Sequence, residues 1–130
     1  MKFIKFLFLT LSISCSSINT NQPKPLIHTD TLFIGHIEYG DTVKTQLKLL
    51  NPNKQDIKIE SLISSCGCVL PNLRDSIIKG YDSTIIKIIY TPSTNADSGN
   101  ILKTISIRAN SNPPFRSVIL KGFVKKISND

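Results

Sequence analysis

Val43-Lys44-Thr45-Gln46-Leu47-Lys48-Leu49 alternates strictly along the chain. Val43, Thr45, Leu47 and Leu49 fall on one face, and Lys44, Gln46 and Lys48 fall on the other, the period of two that marks a half-buried strand. Gly40-Asp41 precedes the run and Asn51-Pro52-Asn53 ends it, so turn chemistry bounds it on both sides. The same reading places strands near Leu32–Ile37, Ile57–Ile63, Thr84–Thr91, Ile101–Ala109 and Phe115–Val124. Turns fall at Gly80-Tyr81-Asp82, Asn95–Asn100 and Asn110–Pro114. Pro71–Lys79 shows no regular period, and no helical stripe appears anywhere. Short strands at this spacing predict an all-β sandwich. About seven strands in a body of roughly 95 residues match the dimensions of an immunoglobulin-like domain.

Outside this body, the chain begins with a different grammar. Met1–Lys5 carries two lysines, Phe6–Leu11 is almost wholly apolar, and Ser12-Ile13-Ser14 supplies small residues before Cys15, the order of parts in a secretory signal. The apolar run is far shorter than the roughly 20 residues that span a bilayer. A cysteine directly after small residues is similar to the lipobox of bacterial lipoproteins, in which the thiol takes a diacylglyceryl group and becomes the first mature residue. Ser12 stands where leucine is usual, and Leu11 lies one place early. The expected organisation is a signal peptide over 1–14, a lipid-anchored tether over 15–29, a sandwich over 30–124 and a tail over 125–130. Pro23 and Pro25 should keep part of the tether extended.

The signal carries Lys2 and Lys5, so its removal takes the formal net charge from +7 to +5. Export makes nucleic acid an improbable partner, and the remaining surplus favours anionic lipid or polysaccharide surfaces. Lysines that alternate along strands also solubilise an outer face and discourage edge-to-edge pairing.

Two further cysteines form Ser65-Cys66-Gly67-Cys68. Residues two apart in an extended strand sit near the upper end of the Cα separation that a disulfide tolerates. Gly67 relaxes this limit because it can adopt positive φ. A bond across one residue closes a very small loop, so it adds little chain entropy, and strained bonds are the more easily reduced ones. Three readings stand: an inert disulfide or packed thiol pair in an oxidising compartment, a redox-active pair, or two thiolates for a soft metal such as Cu(I). Zinc needs four ligands, and only His28 and His36 remain to join the thiols, with His28 in the tether. A His36–Cys66 dyad lacks an orienting third group.

Phosphate loops, zinc-protease helices and nucleophile elbows are absent. Asp30, Asp41, Asp75, Asp82 and Asp97 are scattered, mostly at turns. Asp30-Thr31, Asp41-Thr42, Asp75-Ser76 and Asp82-Ser83 are similar to an O-glycosylation sequon, but they are also favoured turn and cap pairs.

Phe33-Ile34-Gly35-His36-Ile37, Gly40-Asp41-Thr42-Val43, Leu49-Leu50-Asn51-Pro52, Ile57-Lys58-Ile59, Ser65-Cys66-Gly67-Cys68, Lys79-Gly80, Tyr90-Thr91-Pro92, Gly99, Ile105-Ser106-Ile107 with Asn110, and Leu120-Lys121-Gly122 resemble domain of unknown function family 1573. The likeness covers nearly all of 30–124. It implies an immunoglobulin-type sandwich related to modules of sperm and ciliary proteins, with many members exported as lipoproteins and no activity assigned. The chain departs from that pattern in lacking a proline before Gly80 and in carrying Ile34 where an aromatic residue is common. The expected function is a lipid-anchored, periplasmic or surface-exposed binding or scaffolding module without cofactor, metal or enzymatic activity. A protein partner would meet it at a sheet edge or at the Cys66–Pro71 loop. The alternative is a thiol redox or Cu(I)-handling protein built on Cys66 and Cys68.

Overall fold

A computed structural model describes residues 23–26, 28–92 and 97–126. Cys15 and the signal segment lie outside the described residues, as does part of the turn expected at Asn95–Asn100. Eight strands follow in order: β1 (Thr31–Glu38), β2 (Val43–Leu50), β3 (Ile57–Ser64), β4 (Val69–Leu73), β5 (Ile77–Ile78), β6 (Ser83–Tyr90), β7 (Gly99–Ala109) and β8 (Phe115–Lys125). They form a five-stranded sheet in the order β1-β8-β7-β3-β5 and a three-stranded sheet in the order β2-β6-β4. Only β1 and β8 run parallel; the other paired strands are antiparallel.

The alternation of β2 is realised as read: Leu47 and Leu49 are buried, and Lys44, Gln46 and Lys48 are exposed. Ile86, Ile88 and Tyr90 of β6 join them from the same sheet, and Ile101, Ile105 and Ile107 of β7 meet them from the other. A core built so heavily on isoleucine suits a pleated surface, where β-branched side chains pack well against their neighbours. The two strands that periodicity missed lie around the irregular stretch. β4 is a short edge strand holding Pro71, and β5 is two residues long and pairs only with Ile57 and Lys58.

The end of the sandwich where β2 finishes is organised by one side chain. Asn51 is fully buried. Its Nδ2 donates to the carbonyls of Gln55 at 2.8 Å, Ile78 at 3.0 Å and Lys79 at 3.1 Å. Its Oδ1 accepts the backbone N–H of Asn53 at 2.9 Å and the Asn53 side-chain amide at 3.0 Å. Gly80 passes so close that a Cβ there would overlap the Lys54 carbonyl, which explains its glycine without any preceding proline. Ile34 fills the other position of departure, packing over Gly122, where a Cβ would come within 2.6 Å of its Cγ1.

Asn53 extends this network to the N-terminal segment and shortens the expected tether. Its amide accepts from Lys24 N at 2.8 Å and donates to Lys24 O at 3.0 Å, as a neighbouring strand would. Asn112 N donates to Pro23 O at 2.8 Å, and Leu26 is fully buried in the core. His28, placed by sequence in the tether, has a side chain only 1% exposed. Periodicity cannot see four docked residues whose backbone is held by the Asn53 side chain and the Asn112 backbone amide.

Replacing Asn51 with Ala leaves buried carbonyls without donors, each costing about 1–3 kcal/mol. The substitution is expected to destabilise the domain by roughly 3 kcal/mol in urea unfolding, with the unfolding slope unchanged.

Candidate functional site

The opposite end of the sandwich, where β3 finishes and β4 begins, carries Cys66 and Cys68. The two sulfurs are bonded to each other, with Cα atoms 5.3 Å apart. This lies well inside the tolerated range because the segment is a turn rather than an extended strand. Gly67 does not use positive φ, unlike Gly35, Gly40 and Gly99, and open space surrounds the place of its missing Cβ. The turn is instead fixed from its flanks. Ser65 N donates to Thr104 O at 2.9 Å, and Thr104 N donates to Ser65 Oγ at 3.0 Å. Ser64 Oγ donates to Cys66 O at 2.8 Å, and Thr91 N donates to Cys68 O at 3.0 Å.

The bond joins neighbours in sequence and does not link the two sheets. Cys68 is buried at its edge and Cys66 half-buried, so the disulfide is partly accessible. Ile63 on β3 and Leu70 on β4 bracket it with 61% and 58% of their surfaces exposed. While the sulfurs are bonded to each other, neither is a thiolate for a metal. Among the described residues no group of three or more His, Cys, Asp or Glu side chains comes together.

The histidines stand apart from the cysteines. His36 lies on β1, its ring 5.4 Å from that of Phe123, and β8 and β7 separate β1 from β3. Three interstrand spacings amount to about 14 Å, so a His36–Cys66 dyad does not form. His28 lies buried with Nδ1 donating to Thr29 O at 2.9 Å, 3.7 Å from an Asp30 Oδ1, and its Nε2 has no partner among the described residues.

Behind the disulfide turn lies a buried polar cluster that sequence reasoning missed. Asp97, read from sequence as one of the scattered carboxylates, is 4% exposed. It pairs with Lys103 Nζ at 2.6 Å. Lys103 shares the inward parity of Ile101, Ile105 and Ile107, so it breaks the apolar alternation of β7 at the one position where it faces the interior. That break was the available signal. Tyr90 enters the same end from β6, fully buried, with no hydrogen-bond partner for its hydroxyl among the described residues. Burial first, and the negative charge of Asp97 second, push its phenol up to about 12.

The two packed sheets place the chain in the class of immunoglobulin-like β-sandwiches. It covers 89% of itself and 99% of the ASH/PapD-like domain 7 of human CEP192, with a TM-score of 0.65 at 14% identity. An MSP-domain-like protein of Caenorhabditis elegans, SSP-19, matches 68% of the chain over 94% of its own length, with a TM-score of 0.52 at 10% identity. A protein of unknown function from Porphyromonas gingivalis W83 matches 85% of the chain with a TM-score of 0.71 at 19% identity, and the chain spans 51% of that protein. Residues 26–124 match the model of the family described as protein of unknown function (DUF1573), and the chain belongs to that family. No curated protein sequence matches it.

Two outcomes follow from this end of the molecule. In the unfolded chain the Tyr90 phenol ionises near its ordinary 10.0, below its folded value of about 12. Its contribution is therefore intact below pH 10 and is lost as pH rises between the two values. Tyr90→Phe should be equally or more stable than the parent near neutral pH, by up to about 1 kcal/mol, and should lose less stability in urea titrations near pH 11. Replacing Cys66 and Cys68 together by serine removes a very small loop and should cost only about 1–2 kcal/mol, leaving a folded domain by circular dichroism.

Proposed function

We propose that this chain is a cell-envelope binding module, exported and held to a membrane by a lipid on Cys15, that presents its disulfide-closed end to a protein partner and has no catalysis of its own. The observation that carries this reading is the position of the disulfide. It closes too small a loop to add much chain entropy, spans no two sheets, and sits on an exposed turn bracketed by Ile63 and Leu70. Such a bond serves to hold the shape of a surface. The docked Pro23–Leu26 lies at the other end, beside Asn53 and Asn112. An eight-residue strand spans about 25 Å, so a lipid-anchored chain would carry the turn away from the membrane.

The backbone favours recognition by the turn over addition of a strand at β4. Thr91 N–H bonds Cys68 O, and the register then alternates so that Leu70 and Asn72 face β6 while Val69, Pro71 and Leu73 face the open edge. Proline has no N–H, and the Val69 N–H is taken by Cys66 O at 3.4 Å. A partner strand would meet carbonyls but almost no donors. The other edge of this sheet, β2, carries Lys44 and Lys48, whose charges also oppose pairing.

The partial accessibility of Cys66 supports a second reading, in which the pair is a redox couple or, once reduced, a Cu(I) ligand pair. Photoreactive residues placed at Ile63, Leu70 and Tyr81 in the native membrane test the first reading. Adducts at 63 and 70 but not at 81, on the opposite end, are expected; equal labelling at all three, or none, would overturn it. Intact mass of the same preparation should begin at Cys15 with acyl chains, and Cys66 and Cys68 should alkylate only after reduction. Thiols that alkylate before reduction, or bind Cu(I) stoichiometrically, would favour the second reading.

A further inference from the structure

The outer face of the three-stranded sheet is basic without compensation. Its strands, β2, β4 and β6, contain no Asp or Glu. Lys44 and Lys48 project from β2, and Lys87 from β6 stands opposite Gln46, between them along the neighbouring strand. Towards the end where β2 finishes, the face deepens into a cleft of about 680 Å³. Lys48, Arg74 and Lys87 line it together with the polar side chains of Asn72, Ser83 and Thr84. Asp75 is the one carboxylate on its wall.

On other parts of the surface Lys79 pairs with Asp56 at 3.0 Å and Arg108 with Glu60 at 2.8 Å. Lys48, Arg74 and Lys87 have no ion-pair partner among the described residues. Three cations against one carboxylate in a concave site repel one another, and an anion bound there relieves the repulsion. Hydroxyl and amide donors beside the charges suit phosphate oxygens.

The location selects the occupant. Lys48 lies three residues before Asn51, and Ser83 follows the turn whose Tyr81 N–H bonds Asn53 O at 2.9 Å. Asn53 in turn holds Lys24, so the cleft opens near the point where the chain arrives from its N-terminus. Eight residue steps take the chain from Cys15 to Pro23, a reach of no more than about 29 Å. We infer that the Lys48–Arg74–Lys87 cleft binds the phosphate of anionic lipid headgroups, seating the end of the three-stranded sheet where β2 finishes on the membrane while the disulfide turn points away from it. The choice of lipid over other anions rests on the anchored reading above; the charge arrangement does not.

The test uses the full chain carrying Cys15→Ser, which takes no acyl group, so its outcome is separate from that of the intact-mass measurement. Partitioning is measured on phosphatidylcholine vesicles with and without phosphatidylglycerol. Lys48→Gln, Arg74→Gln and Lys87→Gln are combined in one variant, and Lys58→Gln, Lys121→Gln and Lys125→Gln, on the other sheet's outer face, in a control of equal charge. All three cleft cations lack ion-pair partners, so folding should be unaffected, and thermal unfolding of both variants checks this. The cleft variant is expected to lose about fivefold in affinity per charge, roughly a hundredfold in all. The control should lose far less, since its charges lie more than a Debye length, about 8 Å, from the bound face. Equal losses in the two variants, or no preference of the parent for phosphatidylglycerol, would overturn the proposal. Displacement by inorganic phosphate at matched ionic strength would also overturn it, assigning the cleft to a soluble phosphate ligand.

Discussion

A single buried amide holds one end of this sandwich together. Asn51 reaches the carbonyls of Ile78 and Lys79 where β5 ends and that of Gln55, and through Asn53 it sets the path of the N-terminal segment. Loop backbone that leaves a sheet must find hydrogen-bond partners when it is buried, and here one side chain supplies them both for the loop that follows it and for the end of β5, 27 residues on. Gly80 belongs to the same device, since only a residue without a Cβ lets the turn lie against Lys54. Leu26 reaches the core only because the backbone before it is held in place.

The two ends of the molecule are therefore unlike in kind. One is closed by neutral amides that satisfy backbone groups, at little electrostatic cost. The other contains a buried ion pair and a phenol whose hydroxyl has no partner among the described residues, closed over by the disulfide turn. Breaking a buried ion pair by removing one partner leaves an uncompensated charge, so the Asp97–Lys103 end tolerates change less well than its position near the surface suggests.

Much of the fold was legible because the core relies on alternation. The run from Val43 to Leu49 reads directly as a strand with one wet face, and the strands of β3, β6, β7 and β8 follow from similar patterns. β4 was hidden because Pro71 is a strand breaker except at an edge, where its missing donor faces outward. β5 is too short to have a period. At the candidate site the cysteine pair was visible, whereas the cluster behind it needed tertiary information: Asp97 looks like any turn carboxylate until Lys103 is seen to face inward. The docking of residues 23–26 was hidden for a different reason, since its partners, Asn53 and Asn112, lie 29 and 89 residues away from Lys24 and Pro23.

The parallel pairing of β1 with β8 joins the first strand to the last, with Thr31 beside Ile119, 88 residues along the chain. Contacts of such long sequence separation form late, because a large loop must close before they are rewarded. A chain emerging N-terminus first from a ribosome or a translocation channel has β1 in hand from the outset and nothing to pair it with. Until β8 arrives, β1 is an open strand bearing the exposed ring of Phe33, and such unpaired edges are where partly folded chains associate. The bulge between Phe33 and His36, with Gly35 at φ 74°, interrupts that edge. It thereby shortens the flat segment that a second nascent chain would find to add to.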